Sequence, residues 1–301
     1  MEIFTLDLNF QDVPGAIAAY LIPHPQGAML IETGPGSTIG PLEKALALHG
    51  YLPHQITDAL VTHIHLDHAG AAGWLAGHGA KIHVHHFGLP HLLNPERLLH
   101  SAGRIYGDQM GPLWGGMLPV PADHLNPLRD GDLLRIGGLD IRVIETPGHA
   151  THHMAFVIGD TCFAGDIGGV RLAGPPYIML PMPPPEFHLE QWRASLAKLR
   201  GRTFRQIAPT HFGLYTDAAL HLDLLEQTLA DVEAWILQVM PASPPLEELQ
   251  VLLPAWFQQR AREHGLTGTD SAAHELANPA WMSAAGIDRY WRKSRVPNEV
   301  R

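Results

Sequence analysis

The chain has 301 residues, about twice the ~150-residue size of a single domain, so one large or two smaller domains are expected, with ample material for a core. Its 30 acidic residues outnumber the 20 lysines and arginines, and a formal charge of −10 speaks against broad attraction to nucleic acid, whose binding rests largely on phosphate neutralisation. One cysteine excludes an internal disulfide framework; no run of about 18 apolar residues and no basic leader is present, so a cytoplasmic protein without membrane contact is expected.

Ile56-Thr-Asp-Ala-Leu-Val61 reads as a strand, because β-branched and apolar residues run into a polar cluster, and Ala69-Gly-Ala-Ala-Gly-Trp-Leu75 reads as a short helix. Between them, His63-Ile-His65-Leu-Asp67-His68 packs four potential metal ligands onto one strand-to-helix loop. Thiolates would suit a sealed structural site, whereas imidazoles mixed with a carboxylate leave positions open for chemistry. His63 and His65 can turn toward one ion while Asp67 and His68 reach a position a few ångströms away, so one loop could serve two metals. Lys81 to His86 alternates as a strand, with His83 and His85 on one face and His86 on the other.

The segment from His86 to Pro127 is an apolar, turn-rich insert carrying Arg104, Tyr106, Met110, Trp114 and Met117. Leu139 to Ile144 is a strand by alternation, and Glu145-Thr-Pro-Gly-His149 places His149 just past its end. His153 follows on the same loop, where it could orient a ligating imidazole. Asp166 follows the short strand Thr161-Cys-Phe-Ala-Gly165, in which Cys162 is expected to pack rather than react. A second apolar loop holds Tyr177, Ile178, Met179, Met182 and the prolines of 181–185; both loops could wall a pocket for an apolar or acyl substrate. His211 follows Gln206-Ile-Ala-Pro-Thr210, again at a strand end.

After about residue 215 the pattern turns helical. Asp217 reads as an N-cap for a helix carrying Leu220, Leu224, Leu225, Val232, Ile236 and Val239. Pro241 to Pro245 ends it, and Leu246 to Glu263 and Asn278 to Ser294 give two further helical segments around a Gly-Thr turn at 265–270. This tail shows no chemistry of its own and is expected to pack on the preceding domain or complete a homodimer.

The series HxHxDH at 63–68, then His149 after Thr-Pro-Gly, Gly-Asp166 and Thr-His211, resembles in content and order the metallo-β-lactamase superfamily of hydrolases, over roughly residues 1–225. The resemblance implies an α/β fold, an αββα sandwich, as a hydrolase domain at 1–225 with a helical extension at 226–301. Carried over position by position, it implies that His63, His65 and His149 hold a first metal, that Asp67, His68 and His211 hold a second, and that Asp166 bridges them. The implied cofactors are two divalent ions, zinc first, with iron or manganese as alternatives. The implied activity is binuclear hydrolysis of an ester, thioester or lactone in a small molecule by a metal-bridging hydroxide, with Asp67 also catalytic. A glyoxalase II-like group has the same ligand series, but its basic glutathione-binding pattern is not evident in the tail. Open alternatives are a mononuclear-iron persulfide dioxygenase, a phosphodiesterase or nuclease, and a non-catalytic metal-binding protein. One departure stands out: where the superfamily shows Asp-x-Gly after an early strand, this chain has Glu32-Thr-Gly34, which bears on how the ligand loop is supported.

Overall fold

Alternation of side chains builds two sheets whose inner faces meet. The structure, a computed structural model, describes residues 1–295, apart from the side chains of 269–272. Strands β1 (Phe4–Asp7), β2 (Ala18–His24), β3 (Gly27–Ile31), β4 (Ile56–Leu60), β5 (Lys81–His85) and β6 (Leu125–Leu128) lie in that order in a six-stranded sheet. Its β1–β3 edge is antiparallel and its β3–β6 part parallel. The second sheet holds β7 (Leu133–Ile136), β8 (Leu139–Glu145), β9 (Met154–Ile158), β10 (Thr161–Phe163) and β11 (Gln206–Ala208), in the order β11-β10-β9-β8-β7.

Between the parallel strands and on the outer face of the first sheet run α1 (Ile39–Leu48), α2 (Leu66–Ala69), α3 (Ala72–Gly77), α4 (Leu89–Leu93), α5 (Glu96–Tyr106) and α6 (Met110–Trp114). Against the second sheet lie α7 (Leu189–Arg200), α8 (Ala218–Val239), α9 (Leu246–Glu263), α10 (Gly268–Ala277) and α11 (Ala280–Tyr290).

The period of two explains the layering. On β2, Ala18, Tyr20 and Ile22 enter the core between the sheets, while Ala19 and Leu21 enter the core that also holds Leu42 and Leu46 of α1. On β10, Phe163 faces the partner sheet and Cys162 faces the helices, where burial pushes its thiol up to about 12 and leaves it unreactive. Three cores separate four layers, which is the αββα sandwich. The third core runs from Ile144 to Tyr290, so the C-terminal helices share it with the second sheet.

The tail departs from expectation in three places. Helix α8 runs unbroken through residue 225, and Leu220 lies on its exposed face while Leu222, Leu225, Leu229 and Val232 are buried. Asp217 makes no side-chain cap; its carboxylate instead receives both terminal nitrogens of the buried Arg171, at 2.8 and 2.7 Å. The turn expected at 265–270 is shorter, because α10 begins at Gly268. Among the described residues no helix is long and apolar enough to cross a membrane.

Candidate metal centre

Every expected donor arrives at the same end of the sandwich. Strand β4 delivers His63 and His65 through a short loop, and the single turn of α2 adds Asp67 and His68. The loop is tied to the other sheet by Met154 N, which donates to Thr62 O at 2.7 Å. His149 lies on the β8–β9 connection after Gly148, whose φ of 143° and approach to Trp192 leave no room for a side chain: a Cβ would sit 2.5 Å from Trp192 N. Asp166 follows β10 in a tight turn, and His211 follows β11.

The donor atoms converge into two groups that share one carboxylate. His63 Nε2, His65 Nδ1 and His149 Nε2 lie 2.8, 2.9 and 3.1 Å apart pairwise. Asp67, His68 and His211 form the second group, with Asp67 Oδ2 3.6 Å from His68 Nε2 and 3.5 Å from His211 Nε2. Asp166 turns Oδ2 to His149 Nε2 at 3.2 Å, and Oδ1 to His68 Nε2 at 3.2 Å and His211 Nε2 at 3.6 Å.

Proton assignment shows what these atoms are waiting for. His149 Nδ1 donates to Pro181 O and His211 Nδ1 to Ala16 O, both at 2.8 Å, so each ring presents a bare Nε2 to the centre. Thr62 Oγ1 gives its proton to Glu32 Oε1 at 2.5 Å and can only accept from His63 Nδ1, which leaves His63 Nε2 bare as well. Two lone pairs therefore face each other at 3.1 Å, and that of His211 faces two carboxylates. Both ring nitrogens of His68, and Asp166 Oδ1, are buried without a hydrogen-bond partner. No arrangement of protons on neutral rings satisfies this set, whereas cations between the donors satisfy all of it, and a donor set of imidazoles and carboxylates suits a divalent ion.

Charge follows the same division. Burial, reinforced by neighbouring imidazoles, pushes His63 and His65 well below the usual histidine range, and burial lowers His149 despite Asp166. In the other group burial opposes protonation of His68 and His211, but the Asp166 and Asp67 carboxylates overturn it and raise both. Burial likewise opposes ionisation of Asp67, yet His68 and His211 hold its carboxyl at about 2. A cation at the second group would replace the proton that these carboxylates attract.

A further ring of contacts fixes the donors. His153 Nε2 accepts the Asp166 amide at 3.1 Å and that of Ile167 at 3.4 Å, and its Nδ1 pairs with Thr146 Oγ1 at 2.8 Å, so it holds the turn that carries Asp166. Glu32, with a φ of 68° and 1% exposed, occupies the position of the expected departure. It takes Thr62 Oγ1, Thr210 Oγ1 at 3.1 Å and the Thr62 amide at 3.4 Å, and its Oε1 lies 3.2 Å from His68 Nδ1. Strand β5 places His83 against Asp58 and His85 against Glu145, at 2.8 and 3.1 Å. Neither pair belongs to the two donor groups, although His85 and Glu145 form a separate cluster of possible ligands with His86.

The centre forms the floor of a cavity of about 710 Å³. Tyr106 and Trp114 of the insert line it, as do Pro181 and Pro183 to Pro185; Arg104, Met110 and Met117 do not. Tyr177, Ile178, Met179 and Met182 are buried in the core beneath, so that loop's apolar side chains serve packing rather than the wall. Sequence reasoning missed the opposite wall, which comes from Glu275 to Met282 at the end of α10 and start of α11. The same helices grip the proline loop: Asn278 Nδ2 donates to Leu180 O at 3.1 Å, and Met182 N donates to Ser283 Oγ at 3.3 Å.

Known proteins share this architecture. The model of the metallo-beta-lactamase superfamily matches residues 12–228. A metallo-beta-lactamase fold-containing protein of Sulfurisphaera tokodaii is 28% identical over 182 residues, covering 59% of this chain and 68% of that protein. A hydroxyacylglutathione hydrolase of Aeromonas hydrophila is 30% identical over 147 residues, 49% of this chain and 44% of the hydrolase, so the match spans less than half of that relative. The crystal structure of an archaeal metallo-beta-lactamase superfamily protein from Sulfolobus tokodaii superposes with a TM-score of 0.67 at 20% identity, over 95% of this chain and 97% of that one. A metallo-beta-lactamase family protein from Thermus thermophilus gives 0.64 at 24%, over 96% and 93%. At these identities the likeness is one of fold, and its coverage extends it into the C-terminal helices. Because the family model spans most of the chain and includes every donor of the centre, this chain belongs to the metallo-β-lactamase superfamily.

Proposed function

We propose that the chain is a hydrolase that holds two divalent ions, zinc first, and cleaves the ester, thioester or lactone bond of a small molecule. The observation that carries this reading is Asp166, which offers one oxygen to each donor group. His63, His65 and His149 would hold one ion, and Asp67, His68 and His211 the other. Bound there, two ions supply an acidified water as nucleophile and polarise the electrophilic carbonyl. Asp67, ionised and partly open to the cavity, accepts a hydrogen bond from the attacking water and orients it. Burial, with Asp67 adding to it, keeps the Tyr106 phenol protonated, so the wall offers an O–H donor for a carbonyl or leaving group. His153 acts on this chemistry only through Asp166, whose backbone it holds.

Elemental analysis of the purified protein, joined to a panel of p-nitrophenyl esters, lactones, thioesters and bis-p-nitrophenyl phosphate, tests the reading. Two ions per chain with turnover of a carboxylic ester-like bond is the expected result. One iron per chain with oxygen-dependent turnover, or metal without turnover of any member, overturns it.

A further inference from the structure

If the centre hydrolyses a carboxylic ester-like bond, the rest of its cavity states what is attached to that bond. We infer that the substrate is uncharged and carries an apolar acyl chain, which lies between α5–α6 and the α10–α11 junction. Leu98, Ala102 and Ile105 on one side stand with Leu276, Trp281 and Met282 on the other, above the donor floor. The Tyr106 and Trp281 rings, 6.1 Å apart, join the two sides.

The charges present decide the class. Among the described residues no lysine or arginine lines the cavity, and Glu275 is the only charged lining side chain besides the centre's own donors. Its carboxylate accepts the Ala280 amide at 3.0 Å at the start of α11. A substrate bearing carboxylates away from the scissile bond, as a glutathione conjugate does, would bury them unpaired beside this acid. An aliphatic chain meets only apolar surface, and 710 Å³ falls within the ~300–1,000 Å³ of sites that enclose compact organic ligands. In the reaction, water's oxygen bonds to the carbonyl carbon, the acyl–oxygen bond breaks, the alcohol leaves with one proton of that water, and the other proton is released to solvent as the acid ionises. The other product is a carboxylate, which this wall does not retain.

The zinc-loaded protein is assayed with p-nitrophenyl acetate, butanoate and octanoate, and with an acyl chain matched to the octanoyl length but ending in a carboxylate. The expected kcat/KM rises about three- to fourfold per methylene, on the order of 100-fold from butanoyl to octanoyl, and falls at least tenfold for the carboxylate-ended chain. Leu276→Lys places a cation on the wall and should shift the ratio of the two long-chain rates at least tenfold toward the anion. Binding of N-methyloctanamide, a slowly cleaved amide with the octanoyl chain, to the wild-type protein, followed by tryptophan fluorescence through Trp114 and Trp281, needs neither turnover nor the variant's folding. Ester hydrolysis with no dependence on chain length overturns the acyl assignment and leaves the hydrolase reading standing. Methyloctanamide binding without hydrolysis of any ester supports the cavity assignment and overturns the hydrolase reading. Absence of both overturns both.

Discussion

Replacing Glu32 by glutamine tests the support behind the ligand loop. Two hydroxyls, Thr62 Oγ1 and Thr210 Oγ1, donate to its Oε1, which lies 3.2 Å from His68 Nδ1, while the Thr62 amide addresses Oε2. In Glu32→Gln the amide oxygen stays with the cluster, so the NH2 group is forced against the Thr62 N–H. One buried donor then loses its acceptor, at about 1–3 kcal/mol. The two hydroxyl bonds lose their charge assistance and roughly half their strength, about 1 kcal/mol each. The sum, roughly 3–5 kcal/mol, is survivable only if total stability lies in the upper part of the ~5–15 kcal/mol range, so the variant is checked first by urea unfolding. The sharper effect is on metal. His68 loses the carboxylate that favours its metal-binding tautomer, and loss of such a partner lowers affinity about 10- to 100-fold. Competition with a chromophoric chelator should show the step assigned to Asp67, His68 and His211 shifted by that factor, and the other step, which Glu32 reaches only through Thr62 and His63, shifted less. A folded Glu32→Gln protein that binds both ions as tightly as the parent would refute the role given to Glu32.

Asp166→Ala should release both ions, because its two oxygens serve both groups: bound zinc is expected below one per chain, with hydrolysis reduced at least about 100-fold. Two retained tight ions would contradict the shared-carboxylate assignment. His221 sets part of the acid limit of the fold. Its Nε2–H donates to Gly168 O at 2.8 Å and its Nδ1 accepts from Arg171 at 3.3 Å, so burial, and the guanidinium behind it, push the imidazole down to about 4. An unfolded histidine titrates near ~6.5, so between the two values the unfolded state binds more protons. The stabilisation is complete above pH ~6.5 and disappears as the pH falls toward about 4, at a cost of about 3 kcal/mol. Urea midpoints at pH 7.5 and 4.5 should therefore converge in His221→Gln relative to the parent; equal losses in both proteins would disprove the assignment.

The donors were legible in the chain because their information is local. HxHxDH on a strand-to-helix loop, and single residues just past strand ends, are patterns a few residues long, and the fold delivers each to one end of the sheets. Glu32 was visible as a departure but not as a support, since its partners Thr62, His68 and Thr210 lie 30 or more residues away and its left-handed backbone has no sequence signature. Asp217 illustrates competition: a good N-cap residue was taken by Arg171, a buried cation with a stronger claim on a carboxylate. The Glu275–Met282 wall was illegible because small and apolar residues there match packing as well as they match a ligand surface. Only the three-dimensional meeting of α11 with the 180–185 loop distinguishes the two.

That meeting makes the two sides of the cavity mechanically unequal. The α11 side is stiff: Asn278 and Ser283 hold the backbone at Leu180 and Met182, and Pro181 O between them receives the proton of His149 Nδ1. Lifting that side would loosen a donor of the first group, so the molecule has reason to keep it still. The α5–α6 side is compliant, with Ala102 the only buried residue of α5, and with exposed links from Gln11 to Pro112 O and from Ser37 to Leu113 O. Gly107, at a φ of 51°, follows α5 in open space, whereas Gly115, at 63°, closes α6 against the backbone of Gly36 and Ser37. A shift of α5 would leave in place the Leu180 to Met182 contacts that stand behind His149.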